Sequence, residues 1–441
     1  MKIQQLLCAF LLVPLWAQGQ TNWTLKQCIE YGLGNYGTVK VARYQRELAD
    51  QQARQALASY LPQVNGVGTI DDNIKLQSTL IPAGFISPEP KRLALGSKYT
   101  TSVSASADQV IFDKSLLMGI KANEPNKLKA EQGEQQTREK IIYNVANAYY
   151  QVFVAQEQIR LLKDNMARTA QVLEILKLQR DNGVIQPVDH DRTQVSYNNT
   201  QSQLTVAENT YNLALNKLKF QMGMAQEQPL ALSDTLLRVG APVPAAATFD
   251  ARNLIDYKIQ ETNLELQRID QKRIQAGYLP RVSINARYGT MALGNDYWQS
   301  VSLFTGFGGF QLKVQLPIFD GFSRSAQIQQ SKLNIRTLEE QQRINAASYQ
   351  LQYNNALSQM EKTRGSLAND DRNVQLARQV YEVTTLQYKQ GTKPLTDLIN
   401  AENSYREAQA NYINSLIGFY QAQLDREQSQ GSLQNFYQQL Q

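Results

Sequence analysis

Catalysis needs side chains that move protons, bind metals or attack carbon, and this chain offers few of them. His190 is the only histidine in 441 residues, so one chain can assemble neither a pair of imidazole metal ligands nor a Ser-His-Asp set. The simpler reading of His190 is a polar residue near a helix start. No P-loop occurs, and Gly66-Val67-Gly68 lacks the rest of a dinucleotide fingerprint. Neither a cofactor nor a metal is expected, and no enzymatic activity. What stands out instead is a pair of acids set six residues behind a glycine, Gly183 with Asp189 and Gly391 with Asp397. Where a glycine turn hands over to a helix, that spacing puts a carboxylate in the first turn, which the helix dipole favours.

The totals narrow the class. Lys and Arg number 45 against 39 Asp and Glu, a net charge of +6, and the basic residues are interspersed with acids. No run of them reads as a nucleic-acid patch. Hydrophobic residues make up 42% of the chain, and the mean hydropathy is −0.44. Apolar residues spread this thinly suit narrow seams on long helices and half-buried strands. At the N-terminus, Lys2, the apolar run Leu6 to Trp16 and the small residues around Ala17-Gln18-Gly19 predict a signal peptide over residues 1–19. Gln20 would then open the mature chain, and the net charge would fall by one. Cys8 lies inside the leader, which leaves Cys28 without a disulfide partner. No later segment reads as a membrane helix. A secreted protein or an outer-membrane β-barrel remains.

The chain repeats itself. Tyr60-Leu61-Pro62 returns as Tyr278-Leu279-Pro280, and Phe112-Asp113 returns as Phe319-Asp320. Leu178-Gln179, Gly183, Asp189 and Tyr197 return as Leu386-Gln387, Gly391, Asp397 and Tyr405. The expected organisation is a first repeat over 20–239, a Pro- and Ala-rich linker over 240–248, and a second repeat over 249–441. Strands are expected over about 62–112 and 280–318, and helical hairpins over about 114–222 and 321–428.

Two periods alternate within each repeat. Val282, Ile284, Ala286 and Tyr288 alternate with Arg281, Ser283, Asn285 and Arg287, and Phe310, Leu312, Val314 and Leu316 with Gln311, Lys313 and Gln315. Tyr99, Thr101, Val103, Ala105 and Ala107 alternate with polar residues in the first repeat. Period two over about ten residues marks strands that are apolar on one face and polar on the other, as in membrane barrels. The strand after Pro62 is blurred by Gly66 and Gly68. About 70 helical residues then run to each glycine turn, roughly 100 Å at ~1.5 Å per residue. Ile141, Val145, Ala148, Val152, Ala155, Ile159, Leu162, Met166, Thr169, Leu173 and Leu176 form a heptad seam. The return helices carry seams of alternating small and large residues, from Thr193 to Leu218 and from Ala401 to Ala422. Pro125 falls early in the first long helix, where the second repeat has Lys332, and predicts a kink or a late helix start.

The order of these features resembles the TolC-like outer membrane efflux proteins over almost the whole mature chain. Tyr-Leu-Pro opens the strands, Phe-Asp closes them, and Gly-x5-Asp marks the coiled-coil turn. Four strands cannot close a barrel, and an open edge in lipid leaves backbone groups unpaired, so several chains must complete the ring. The resemblance implies three, and an α+β membrane protein in which a shared β-barrel is continued by a periplasmic α-barrel of antiparallel coiled-coil helices. It implies an outer-membrane location and a passive duct serving a periplasmic adaptor and an inner-membrane pump. It also assigns the turns Gly183-Val184-Ile185 and Gly391-Thr392 to adaptor contact, Asp397 and Asn400 to the pore constriction, and Tyr388, Asp189 and Lys393 to a tip gate. Where relatives have a second acid, Asn400 carries no charge. Within that gate, a hydrogen bond from Tyr388 to Asp189 is expected. A secreted or surface-anchored coiled-coil adhesin or scaffold would carry similar helices; the paired alternating strands favour the duct.

Overall fold

The computed structural model describes residues 22–84, 88–233 and 248–440. The expected leader and residues 240–247 of the expected linker lie outside them. The first half of the chain runs β1 (Asn22–Trp23), α1 (Leu25–Asn35), α2 (Gly37–Ala58), β2 (Gln63–Asp72), β3 (Gln77–Ile81), β4 (Lys91–Leu95), β5 (Tyr99–Phe112), α3 (Lys114–Lys121), α4 (Asn123–Asp181) and α5 (Pro187–Met222). After β6 (Ala231–Leu232) come α6 (Ile255–Ala276), β7 (Arg281–Gly294), β8 (Phe304–Gln315), α7 (Ser323–Lys389), α8 (Leu395–Gln430) and α9 (Leu433–Gln439). Among the described residues no helix is long and apolar enough to cross a membrane. Two compact units emerge, and each draws residues from both halves of the chain.

One unit comprises residues 43–133 and 256–345. Its centre is an antiparallel sheet in the order β2-β5-β7-β8. Register turns the period-two pattern of each strand into continuous stripes. Val282 faces Val314, Ile284 faces Leu312 and Ala286 faces Phe310, while Ser283 faces Lys313 and Asn285 faces Gln311. The apolar stripe continues through Ala107, opposite Ala286, to Val64, opposite Ala107. Gly66 and Gly68 fall on this same face, opposite Ala105 and Val103, which explains why β2 reads weakly in sequence. Polar partners meet on the other face, where Asn285 Nδ2 donates to Asp108 Oδ1 at 2.7 Å and the hydroxyls of Thr69 and Ser102 lie 2.9 Å apart. A bulge interrupts β5 between Val110 and Phe112. Among the described residues β2 and β8 remain edges, so the sheet is open. The connection from β2 to β5 carries the ribbon β3–β4, whereas a short 3-10 turn, Gln299–Val301, links β7 to β8.

The Tyr-Leu-Pro and Phe-Asp motifs have local jobs in this unit. Tyr60 donates its hydroxyl to the Ile111 carbonyl at 3.0 Å, fastening the end of α2 to β5. Asp113 caps α3 by accepting from the Leu116 N–H at 3.1 Å. That helix stops at Ala122, and α4 starts at Asn123 with Pro125 in its first turn, where a missing N–H breaks no bond. The late start expected from Pro125 is what the structure contains. In the second repeat α7 runs unbroken for 67 residues, straight through Gly365.

The other unit comprises residues up to 42 with 134–255 and 346 onward. Thr24 and Gln27 form a reciprocal capping box at the start of α1. Ile29, Ile142, Val145, Leu218, Met222, Tyr420 and Leu424 are fully buried here, and Tyr150 stacks on Tyr420 with ring centroids 4.3 Å apart. Every residue of the α4 seam is buried or half-buried, as are those of α5 and α8. Cys28 lies in this core, where burial raises its thiol to about 12.

Candidate functional site

Both glycine turns end their helices the same way. Gly183 has φ +70° and Gly391 φ +73°, a left-handed conformation that glycine adopts without a Cβ clash. The Val184 N–H donates to the Gln179 carbonyl at 2.8 Å, and Gly183 to Arg180 at 2.9 Å. Thr392 donates to Gln387 at 2.9 Å and Gly391 to Tyr388 at 3.0 Å, which repeats the pattern. These are Schellman closures that use up the last carbonyls of α4 and α7. Pro187 then opens α5, and Pro394 precedes α8. Each proline fixes the chain direction within a residue or two of the turn.

The first-turn acids sit as the spacing predicts, both half-buried. Asp189 donates its N–H to the Gln186 carbonyl, and Asp397 to that of Pro394, at 3.1 and 3.2 Å. Lys393 Nζ lies 3.1 Å from Asp397 Oδ2. Lys393 is thus paired with the acid that follows its own turn. Both side chains are nearly half exposed, so such a pair contributes about 0–1 kcal/mol. Its larger effect is to place a cation against the acid. Asn400, one helical turn beyond Asp397, is exposed.

Tyr388 corrects one expectation. Its hydroxyl donates to Gln179 Oε1 at 2.9 Å, and not to Asp189. Gln179 belongs to the outgoing helix α4, four residues before Gly183. Equal hairpin lengths suggested Asp189 because they match heights along the return helix; packing between α7 and α4 decides the reach instead. Burial, and then the Asp189 charge, still raise the phenol above its ordinary value. The ring packs against a small core under the turns. In it Leu395, Leu398, Ala401 and Tyr405 of α8 meet Val172 and Leu176 of α4 and Tyr381 of α7. Ile185 joins that core half-buried, whereas Val184 is 70% exposed and Thr392 is exposed.

Sequence reasoning missed a buried polar ladder between α4 and α8. Asn165 Nδ2 donates to Gln409 Oε1 at 2.7 Å, and Thr169 Oγ1 to Glu402 Oε1 at 2.9 Å. All four residues are at most 9% exposed. Arg406 Nη1 reaches Ser196 Oγ at 3.1 Å and Nη2 reaches Gln203 Oε1 at 3.2 Å, tying α8 to α5. The readable signal is periodic. Glu402 and Gln409 interrupt the stripe Leu398, Tyr405, Ile413 and Leu416 at its own spacing.

A model of the outer membrane efflux protein family matches residues 32–224 and 258–433. The probable efflux pump outer membrane protein TtgC of Pseudomonas putida is 22% identical over 424 residues, covering 93% of this chain and 83% of that protein. Outer membrane protein TolC of Vibrio cholerae is 21% identical over 409 residues, covering 88% and 86%. A solved structure of CusC superposes with a TM-score of 0.76 at 16% identity, covering 92% of this chain and 91% of that one, a likeness of fold.

Proposed function

Because the chain belongs to the outer membrane efflux protein family, we propose that it is the passive exit duct of a tripartite efflux system, working as a homotrimer without catalysis of its own. One observation carries this reading. A single four-stranded sheet has an apolar stripe crossing all its strands and two unpaired edges. Such a sheet suits lipid only when further copies pair with those edges. Three copies would give twelve strands in the outer membrane, with the helices extending into the periplasm. The relatives are efflux proteins by name, which leaves the adhesin or scaffold reading without support.

Energy and selection then come from partners, an inner-membrane pump and a periplasmic adaptor. The exposed turn residues Gly183, Val184, Gly391 and Thr392, with Ile185 behind them, are the proposed adaptor contact. Asp397 is the proposed cation-attracting ring of the constriction, with uncharged Asn400 beyond it. Tyr388 is the proposed gate residue, now through Gln179, with Asp189 acting by charge alone. The direct test is reconstitution of the purified full chain into planar bilayers, with native mass spectrometry of the same sample. Discrete conductance steps from a trimer are expected. A monomer, or a trimer with no conductance, would overturn the proposal.

A further inference from the structure

Along α4, α5 and α8 lies a half-open cavity of about 580 Å³. That volume falls within the range of small-molecule sites. Ser202, Ala207 and Ala410 contribute small side chains to its lining. Leu161, Leu162 and Ile413 make an apolar wall. Gln409 also lines the cavity and is only 4% exposed. Its Oε1 is taken by Asn165, while its Nε2 has no hydrogen-bond partner among the described residues. An unsatisfied buried donor costs about 1–3 kcal/mol, a cost that an acceptor seated in the cavity would offset. The charge at the cavity is equally selective. Its lining includes Arg406, but Glu402 Oε1 lies 4.0 Å from Arg406 Nη1 and balances that charge, so neither an amine nor an anion gains a free counter-charge there.

We propose that this cavity binds a neutral amphipathic molecule of roughly steroid size, its compact aliphatic body against Leu161, Leu162 and Ile413 and a carbonyl or ether oxygen accepting from Gln409 Nε2. Size sets the first condition, since a body of fused rings fills the wall without unfolding the helices. The anchor sets the second. A hydrocarbon of the same shape leaves Nε2 unsatisfied and binds more weakly. Neither the duct reading nor any transported cargo is needed for the site to exist.

The full chain in lipid nanodiscs is tested by equilibrium dialysis with tritiated progesterone at pH 8, with empty nanodiscs subtracted. Saturable binding is expected. Gln409→Glu keeps an acceptor for Asn165 but replaces the free donor with an acceptor, and should weaken binding at least tenfold. Val206 is 66% exposed and lines the cavity mouth, so Val206→Trp should obstruct it with little effect on folding and weaken binding to the same degree. Unchanged heat-modifiable migration on gels certifies each variant as folded, and the Trp variant carries the test should the Glu variant fail. No saturable binding above empty nanodiscs overturns the proposal. So does undiminished binding in a folded Val206→Trp variant.

Discussion

An arginine at Ala286 tests the orientation of the whole sheet. Ala286 is the sixth residue of β7, five steps from Arg281, or about 17 Å at ~3.3 Å per residue. With a strand tilt of about 40°, that is about 13 Å along the membrane normal, close to the middle of an apolar band about 25 Å tall. The position lies between Ala107 and Phe310 on the apolar stripe. Arginine there should cost about 2–4 kcal/mol per chain, and about 6–12 kcal/mol for three. Asn285→Arg is the matched control. It moves the charge one residue, to the opposite face beside Asp108, where it should be nearly neutral. Urea titration of protein folded into lipid vesicles, followed by tryptophan fluorescence and gel migration, measures both. Ala286→Arg should lower the unfolding midpoint sharply and Asn285→Arg hardly at all. Equal tolerance, or the reverse order, would refute the facing, because a slip of one residue exchanges the two faces.

Three further outcomes are expected. Asp397→Asn should weaken block by a trivalent cation in planar-bilayer recordings, most at low ionic strength, while Lys393→Ala and Asn400→Asp should each strengthen it; unaltered block in all three would remove Asp397 from the constriction. Tyr388→Phe and Gln179→Leu should raise resting conductance alike, by breaking one bond worth about 0.5–1.5 kcal/mol per chain, with little added by combining them. A larger effect from Asp189→Ala than from Gln179→Leu would restore the carboxylate as the partner. Cys28 should resist maleimide at pH 8 in the folded protein, since a shift from 9.0 to about 12 cuts the thiolate about a thousandfold. The sign for stability follows: the unfolded thiol ionises first, so this group leaves stability unchanged below pH 9.0 and erodes it as pH rises above. Labelling as fast as in denatured protein would show that the core is open.

Much of this was legible because periodic burial leaves a trace in composition. The seam from Ile141 to Leu176 could be written down from steps of four and three, and none of its members is exposed. Alternation placed the strands, and the ladder adds what alternation cannot, namely which residue faces which. Pro125 was readable because its ring forbids a normal helix interior. Less accessible were features set by contact between distant segments. The partner of Tyr388 depends on how α7 slides against α4, which no count along either helix determines. Gln409 interrupts the stripe of its helix but names no partner, and Asn165 reads as an ordinary polar residue until two helices bring them within 2.7 Å. The ribbon β3–β4 carries Lys91-Arg92-Leu93 without clean alternation, since both of its faces are largely exposed.

The interruption at Ala122 makes the two repeats mechanically unequal. A helix resists bending through its ladder of carbonyl-to-amide bonds, and α7 keeps that ladder whole for 67 residues. Its counterpart is two pieces, α3 and α4, meeting at Ala122, with Pro125 in the first turn beyond the joint. The same chain thus holds one continuous long helix and one interrupted one. Load along the helices should therefore bend the interrupted piece at Ala122 before it bends α7.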